Sequence, residues 1–153
     1  MRFRKSLVLV ALAALPAAAG AAEPRTPVKL SAAELDRMVA TATQGTGKGT
    51  VPTGENGPVV LVLRRTRDGE AEIHDRLNDL FVVRSGRATV LIGGTVAGNR
   101  QTTAGEWRGG TITGAARFEV GPGDVLWIPA GLPHQVLVPR GGDLNYLAIK
   151  SER

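Results

Sequence analysis

Beyond residue 58 the chain alternates apolar and polar positions in short runs, each closed by Gly, Pro or Asp. The runs are "VVLVLRR" (59–65), "AEIHDR" (71–76), "DLFVVRSG" (79–86), "RATVLIGG" (87–94), "GTITGA" (110–115), "ARFEV" (116–120), "DVLWIPA" (124–130), "HQVLVP" (134–139) and "LNYLAIK" (144–150). Period-two patterning rich in β-branched residues reads as half-buried strands. The Asp68-Gly69 pair between the first two runs predicts a tight hairpin. Short strands at this spacing predict an all-β sandwich or barrel, and no alternation of helix and strand supports a parallel sheet.

Ahead of the strands, "SAAELDRMVATATQ" (31–44) places Ser31 three residues before Glu34 as a capping box, with Leu35, Met38 and Val39 at helical spacing. One short amphipathic helix is expected there. The stretch "GTGKGTVPTGENGP" (45–58) reads as a flexible connection by composition. Its Lys48 is followed by Gly49 rather than Ser or Thr, so it is not a phosphate-binding loop. The Gly-rich stretch "GGTVAGNRQTTAGEWRGG" (93–110) predicts a long hairpin excursion outside the core.

The first residues change the setting. Arg2, Arg4 and Lys5 precede the apolar run Leu7 to Ala22, which offers Ala19 and Ala21 in an A-x-A arrangement. That order is the layout of a secretory signal peptide, and Pro16 and the small residues interrupt the run before the roughly 20 apolar residues that a spanning helix needs. The expected organisation is a signal peptide at 1–21, an N-terminal helix and linker at 22–57, and one β domain at 58–150. A periplasmic or secreted protein that no longer engages the membrane after cleavage is expected.

Composition narrows the function classes. The formal charge of +5 includes the three basic residues of the leader; without them sixteen basic side chains face fourteen acidic ones, so the high isoelectric point does not argue for nucleic acid. Cysteine is absent, which excludes disulfide stapling and a catalytic thiolate and leaves stability to a hydrophobic core. Neither histidine lies in a G-x-S-x-G context of the kind that serine hydrolases of the α/β class use.

The chain has two histidines, His74 and His134. The segment around His134 runs Gly123, five residues, Pro129, one residue, Gly131, two residues, His134. It resembles the second motif of the cupin superfamily, G-x5-P-x-G-x2-H, with Val138 where the motif ends on Asn. The segment around His74 is similar to the first cupin motif in degenerate form. Gly86 is its final glycine, Asp79 stands where Glu is expected, and Arg76 takes the place of the second histidine; Gly69 lies one residue too close, and the gap from Arg76 to Asp79 is one residue short. The resemblance spans about residues 58 to 150 and implies a jelly-roll β-barrel with a short N-terminal helix.

It also implies a site. In similar proteins three histidines and a carboxylate converge on a divalent ion, and here His74, Asp79 and His134 remain as the implied ligands. Imidazole and carboxylate donors suit Fe(II), Mn(II), Zn(II) or Ni(II) without choosing among them. Residues two apart on a strand share a face, so Arg76 is expected beside His74, where its charge would repel an ion or contact an anionic ligand. Asp75 or Asp79 pairing with Arg76 is the plainer alternative. Trp127 and Tyr146 are expected as walls of a ligand pocket or as core, Glu106 and Trp107 as a lid or dimer contact, and Asn78 on the face opposite Asp79. Two functions follow: a small-molecule protein with a divalent-metal site in the barrel mouth, or a metal-free ligand-binding or structural barrel in which Arg76 contacts the anion. Jelly-roll edges need covering, so a homodimer is expected.

Overall fold

The computed structural model describes residues 27–41, 46–51, 53 and 57–153. The leader at 1–21 lies outside them. Among the described residues no helix is long and apolar enough to cross a membrane.

The expected helix forms as α1 (Ala32–Ala40). Ser31 Oγ accepts from the Glu34 amide at 3.3 Å, and the Ser31 amide donates to Glu34 Oε2 at 2.7 Å, which satisfies the first-turn donors. Asp36 of this helix pairs with Arg84 at 2.8 Å, tying it to the surface of a sheet.

Thirteen strands follow among the described residues: β1 (Thr46–Val51), β2 (Val59–Arg65), β3 (Glu72–His74), β4 (Leu77–Ser85), β5 (Ala88–Ile92), β6 (Thr95–Ala97), β7 (Arg100–Thr103), β8 (Glu106–Arg108), β9 (Thr111–Thr113), β10 (Ala116–Val120), β11 (Val125–Ile128), β12 (His134–Leu137) and β13 (Leu144–Glu152). All ladders are antiparallel. One sheet has the order β1-β2-β13-β4-β11, the second β10-β5-β12-β3-β8-β7, and β6 with β9 forms a small ribbon. Strands β2 to β5, and again β10 to β13, go alternately to the two sheets. This is a jelly roll of two facing sheets. Inward side chains from both, including Leu63, Phe81, Val90, Val136, Tyr146 and Ala148, make one core.

Three expectations are corrected. Asp68-Gly69 does not close a hairpin: β2 and β3 belong to different sheets, and Gly69 lacks the positive φ that a type I′ turn requires. Instead Asp68 Oδ1 accepts from the Val138 amide at 2.7 Å and the Gly69 amide donates to Val136 O at 2.8 Å, docking this crossover on the end of β12. The Gly-rich stretch read as a flexible connection contains β1, which pairs along β2 from Thr46↔Arg65 to Val51↔Val60; the ladder overrides weak local propensity. The excursion at 93–110 is only partly external, because β8 pairs with β3 and joins the second sheet.

Candidate metal and ligand centre

The centre is made of cross-strand neighbours on two facing sheets. In the first sheet, β4 turns Asp79, Phe81 and Val83 inward and β13 turns Leu144, Tyr146 and Ala148 inward, with Lys150 next in the same row. The register sets Lys150 opposite Asp79. Their side chains meet at 2.6 Å between Nζ and Oδ1, with Asp79 fully buried.

In the second sheet His134 stands opposite Glu72, Glu72 opposite Arg108, and His74 opposite Glu106. His74 is therefore gripped from two sides: Nδ1 lies 2.7 Å from Glu106 Oε2 and Nε2 lies 2.8 Å from Lys150 Nζ. The same Nε2 is 3.3 Å from Asp79 Oδ2 and 3.5 Å from Glu72 Oε2. His134 enters from the loop after β11. There Gly131 has φ +83, a left-handed backbone that favours glycine, and its amide donates to the His74 carbonyl at 2.8 Å. The two imidazole centroids are 5.3 Å apart.

The hydrogen bonds fix the tautomers. A carbonyl only accepts, so His134 Nδ1 carries the proton that meets Leu132 O at 3.2 Å. His134 Nε2 is then left buried with no hydrogen-bond partner, 3.4 Å from Asp79 Oδ2 and 3.9 Å from Glu72 Oε2. A buried ring nitrogen without a partner, facing two carboxylate oxygens, calls for a positive charge between them, a proton or a metal ion. Glu72, His74 and His134 each offer one ligand atom within 4.8 Å of the others, so this group could hold a metal ion.

Electrostatics follow from the same contacts. Burial pushes the Glu72 carboxyl up, but its contact with His74 and the charges of Arg108 and Arg65 outweigh it and lower its pKa to about 2. Burial likewise opposes the Asp79 charge, yet His134, His74 and Lys150 hold that carboxyl well below the usual carboxylate range. For His74, burial disfavours the imidazolium while Asp79 and Glu72 raise its affinity for a proton, with Lys150 pulling the other way. A protonated Nε2 would set two donors face to face across 2.8 Å. With the ammonium in place the contact is instead that of a neutral His74 accepting from Lys150, so Nε2 already faces a cation.

The structure brings His74, Asp79 and His134 together and places Tyr146 on the cavity wall, where its hydroxyl accepts from Arg65 Nε at 2.8 Å. It separates Arg76 and Trp127 from them. Strand β3 ends at His74 and the chain bends at 75–76, so strand alternation does not reach Arg76; its side chain is 81% exposed and lies 4.0 Å from Glu152. Neither Asp75 nor Asp79 pairs with it: Asp75 Oδ2 accepts from Trp107 Nε1 at 3.3 Å. Trp127 is 51% exposed on the outer face of β11. Asn78 faces away from Asp79, as expected, and its Oδ1 accepts from the Ala130 amide at 3.0 Å. Glu106 holds His74 from within the second sheet.

Sequence reasoning missed Glu72, Lys150, Arg65 and Arg108. The signal for the first two was present: Glu72 is two residues before His74, and Lys150 continues the Tyr146, Ala148 row. A cavity of about 410 Å³ opens beside the centre, with Leu61, Leu63 and Phe81 on its apolar wall and Arg65, Arg108 and Lys150 on its polar one.

No protein-family model and no curated protein matches the chain. Solved structures with the same fold do. One is an uncharacterised conserved protein with a double-stranded β-helix domain from Klebsiella pneumoniae, at TM-score 0.56 and 15% identity over 76% of this chain and 85% of that one. A cupin domain from Schizosaccharomyces pombe gives TM-score 0.54 and 10% identity, covering 72% and 67%. A cupin-2 domain protein from Rhodospirillum rubrum gives 0.52 and 15% identity over 73% of this chain, which spans 63% of that protein's length.

Proposed function

On the cupin fold that this chain carries, we propose that it is an exported single-domain protein that binds or acts on a small molecule in the barrel cavity, beside a divalent ion held by Glu72, His74 and His134. The observation that carries the reading is the buried, unpartnered Nε2 of His134, aimed at Asp79 and Glu72. Imidazole and carboxylate donors suit Fe(II), Mn(II), Zn(II) or Ni(II). Bound there, such an ion would supply Lewis-acid polarisation of a ligand oxygen.

The chain's own residues set what enters. Arg108 and Arg65 hold Glu72 between them, so the carboxylate keeps its charge and its direction. Glu106 fixes the His74 ring by its Nδ1, which turns Nε2 toward Lys150, Asp79 and Glu72. Leu61, Leu63 and Phe81 exclude water from one wall, while Arg65, Arg108 and Lys150 favour a ligand with an apolar body and an acidic or oxygen-rich end. Those three cations also support the second reading, a metal-free binding module in which they, and not the exposed Arg76, contact the anion.

The test is elemental analysis and titration with Mn(II), Ni(II) and Zn(II) of the mature protein, recovered from the periplasm or medium with its N-terminus at Ala22 or Glu23. Wild type should bind one ion, and His134→Ala should lose it. Binding unaffected by His134→Ala, or none at any concentration up to millimolar, would favour the metal-free module; a precursor retained in the membrane would overturn export.

A further inference from the structure

We propose that Lys150 is the resident cation of this centre: its ammonium and a divalent ion are alternative occupants, so that metal enters only as Lys150 leaves. The inference rests on the metal reading of Glu72, His74 and His134 and adds to it the residue that sets its affinity.

Three observations carry it. The Lys150 ammonium already spends its hydrogen bonds on two atoms of the centre, Asp79 Oδ1 at 2.6 Å and His74 Nε2 at 2.8 Å. His74 Nε2 is the atom turned toward Asp79 Oδ2 and Glu72 Oε2, so an ion reaching it meets a filled position. Only the His134 side of the gap is left without a partner.

Charge points the same way. Glu72, Asp79 and Glu106 are the carboxylates in contact with the imidazoles or with Lys150, and Arg65, Arg108 and Lys150 are the cations that contact these carboxylates. The balance is already even. A divalent ion added to it would stand against three fixed positive charges in a buried place, whereas exchange for one of them relieves the repulsion. Lys150 is the one that can go. Arg108 is held by two carboxylates and Arg65 by Glu72 and Tyr146, while Lys150 has a flexible four-carbon stem, lines the cavity and is followed by exposed Ser151 and Glu152 at the end of β13.

The experiment compares wild type, Lys150→Met and Lys150→Gln by calorimetric titration with Ni(II) and Zn(II), each protein first shown to unfold cooperatively. The substitutions should tighten binding at least tenfold, a difference of about 1.4 kcal/mol, and adding His134→Ala to Lys150→Met should remove the gain. In wild type, acylation of the Lys150 amine, followed by mass spectrometry, should speed up when Zn(II) is added, since its side chain is only 13% exposed in the ion pair. Equal or weaker binding in both variants, or labelling of Lys150 that ignores Zn(II), overturns the exchange and leaves the metal reading standing. No binding by wild type or either variant overturns both.

Discussion

At the residue scale, the centre depends on pairs that are costly to break singly. Asp79 is buried against Lys150, so Asp79→Ala leaves an ammonium in the core with its carboxylate partner removed, and unfolding in urea should lose about 3 kcal/mol or more. Lys150→Met in the same chain should restore much of that loss, because a deleted pair is cheaper than half of one; simple additivity of the two changes would show that they do not interact. Arg76 is the contrasting case. Its exposed pair with Glu152 predicts that Arg76→Ala changes stability by less than about 0.5 kcal/mol and leaves Ni(II) affinity unaltered, which the same urea and titration measurements check. Legibility divides along the same line. His74 and His134 could be singled out because a motif marks them, whereas Glu72 and Lys150 look like the alternating polar residues of any strand until a partner strand faces them.

At the element scale, the short links that pass the chain between the sheets hold the geometry. Gly86, between β4 and β5, has φ +81, and a Cβ there would collide with the Asp143 carbonyl oxygen. Gly114, between β9 and β10, has φ +72 but nothing within 4 Å of its Cβ position. Gly114→Ala should therefore cost only backbone strain, about 1 kcal/mol, and Gly86→Ala distinctly more, about 2 kcal/mol or above, as shifts in urea midpoint. Equal losses would mean that the collision is relieved at no cost. Element boundaries also show where pattern reading stops. The alternation in "AEIHDR" continues past His74, but the backbone bends after it, and nothing in the spacing of apolar residues encodes that bend.

At the scale of the whole molecule, the buried carboxylates couple the centre to stability. The folded pKa of Glu72 is near 2 and that of Asp79 is also depressed, both below their unfolded values of about 4.5 and 3.8. Groups shifted down stabilise the fold at pH above the unfolded pKa and lose that contribution as pH falls from there through the folded pKa. In metal-free buffer the carboxylates' contribution to the unfolding free energy should therefore hold above about pH 5 and fall steeply between about pH 4.5 and 2. Glu72→Gln should flatten that fall, and a variant with the wild-type slope would show that Glu72 does not carry it.

The sequence by itself determined the β character of the domain, the capped helix, most strand positions and the two histidines that meet. Those features are written in local periodicity, in turn residues and in the fixed spacing of the motif that ends at His134. Only the tertiary structure decided that Asp68-Gly69 crosses between sheets, that a Gly-rich stretch supplies strand β1, that Arg76 faces solvent, and that Lys150 stands between Asp79 and His74. The physical reason is register. Which side chains become neighbours is set by ladders between segments far apart in the chain. Lys150 and Asp79 are 71 residues apart and meet because β13 pairs with β4, an alignment that neither strand specifies alone.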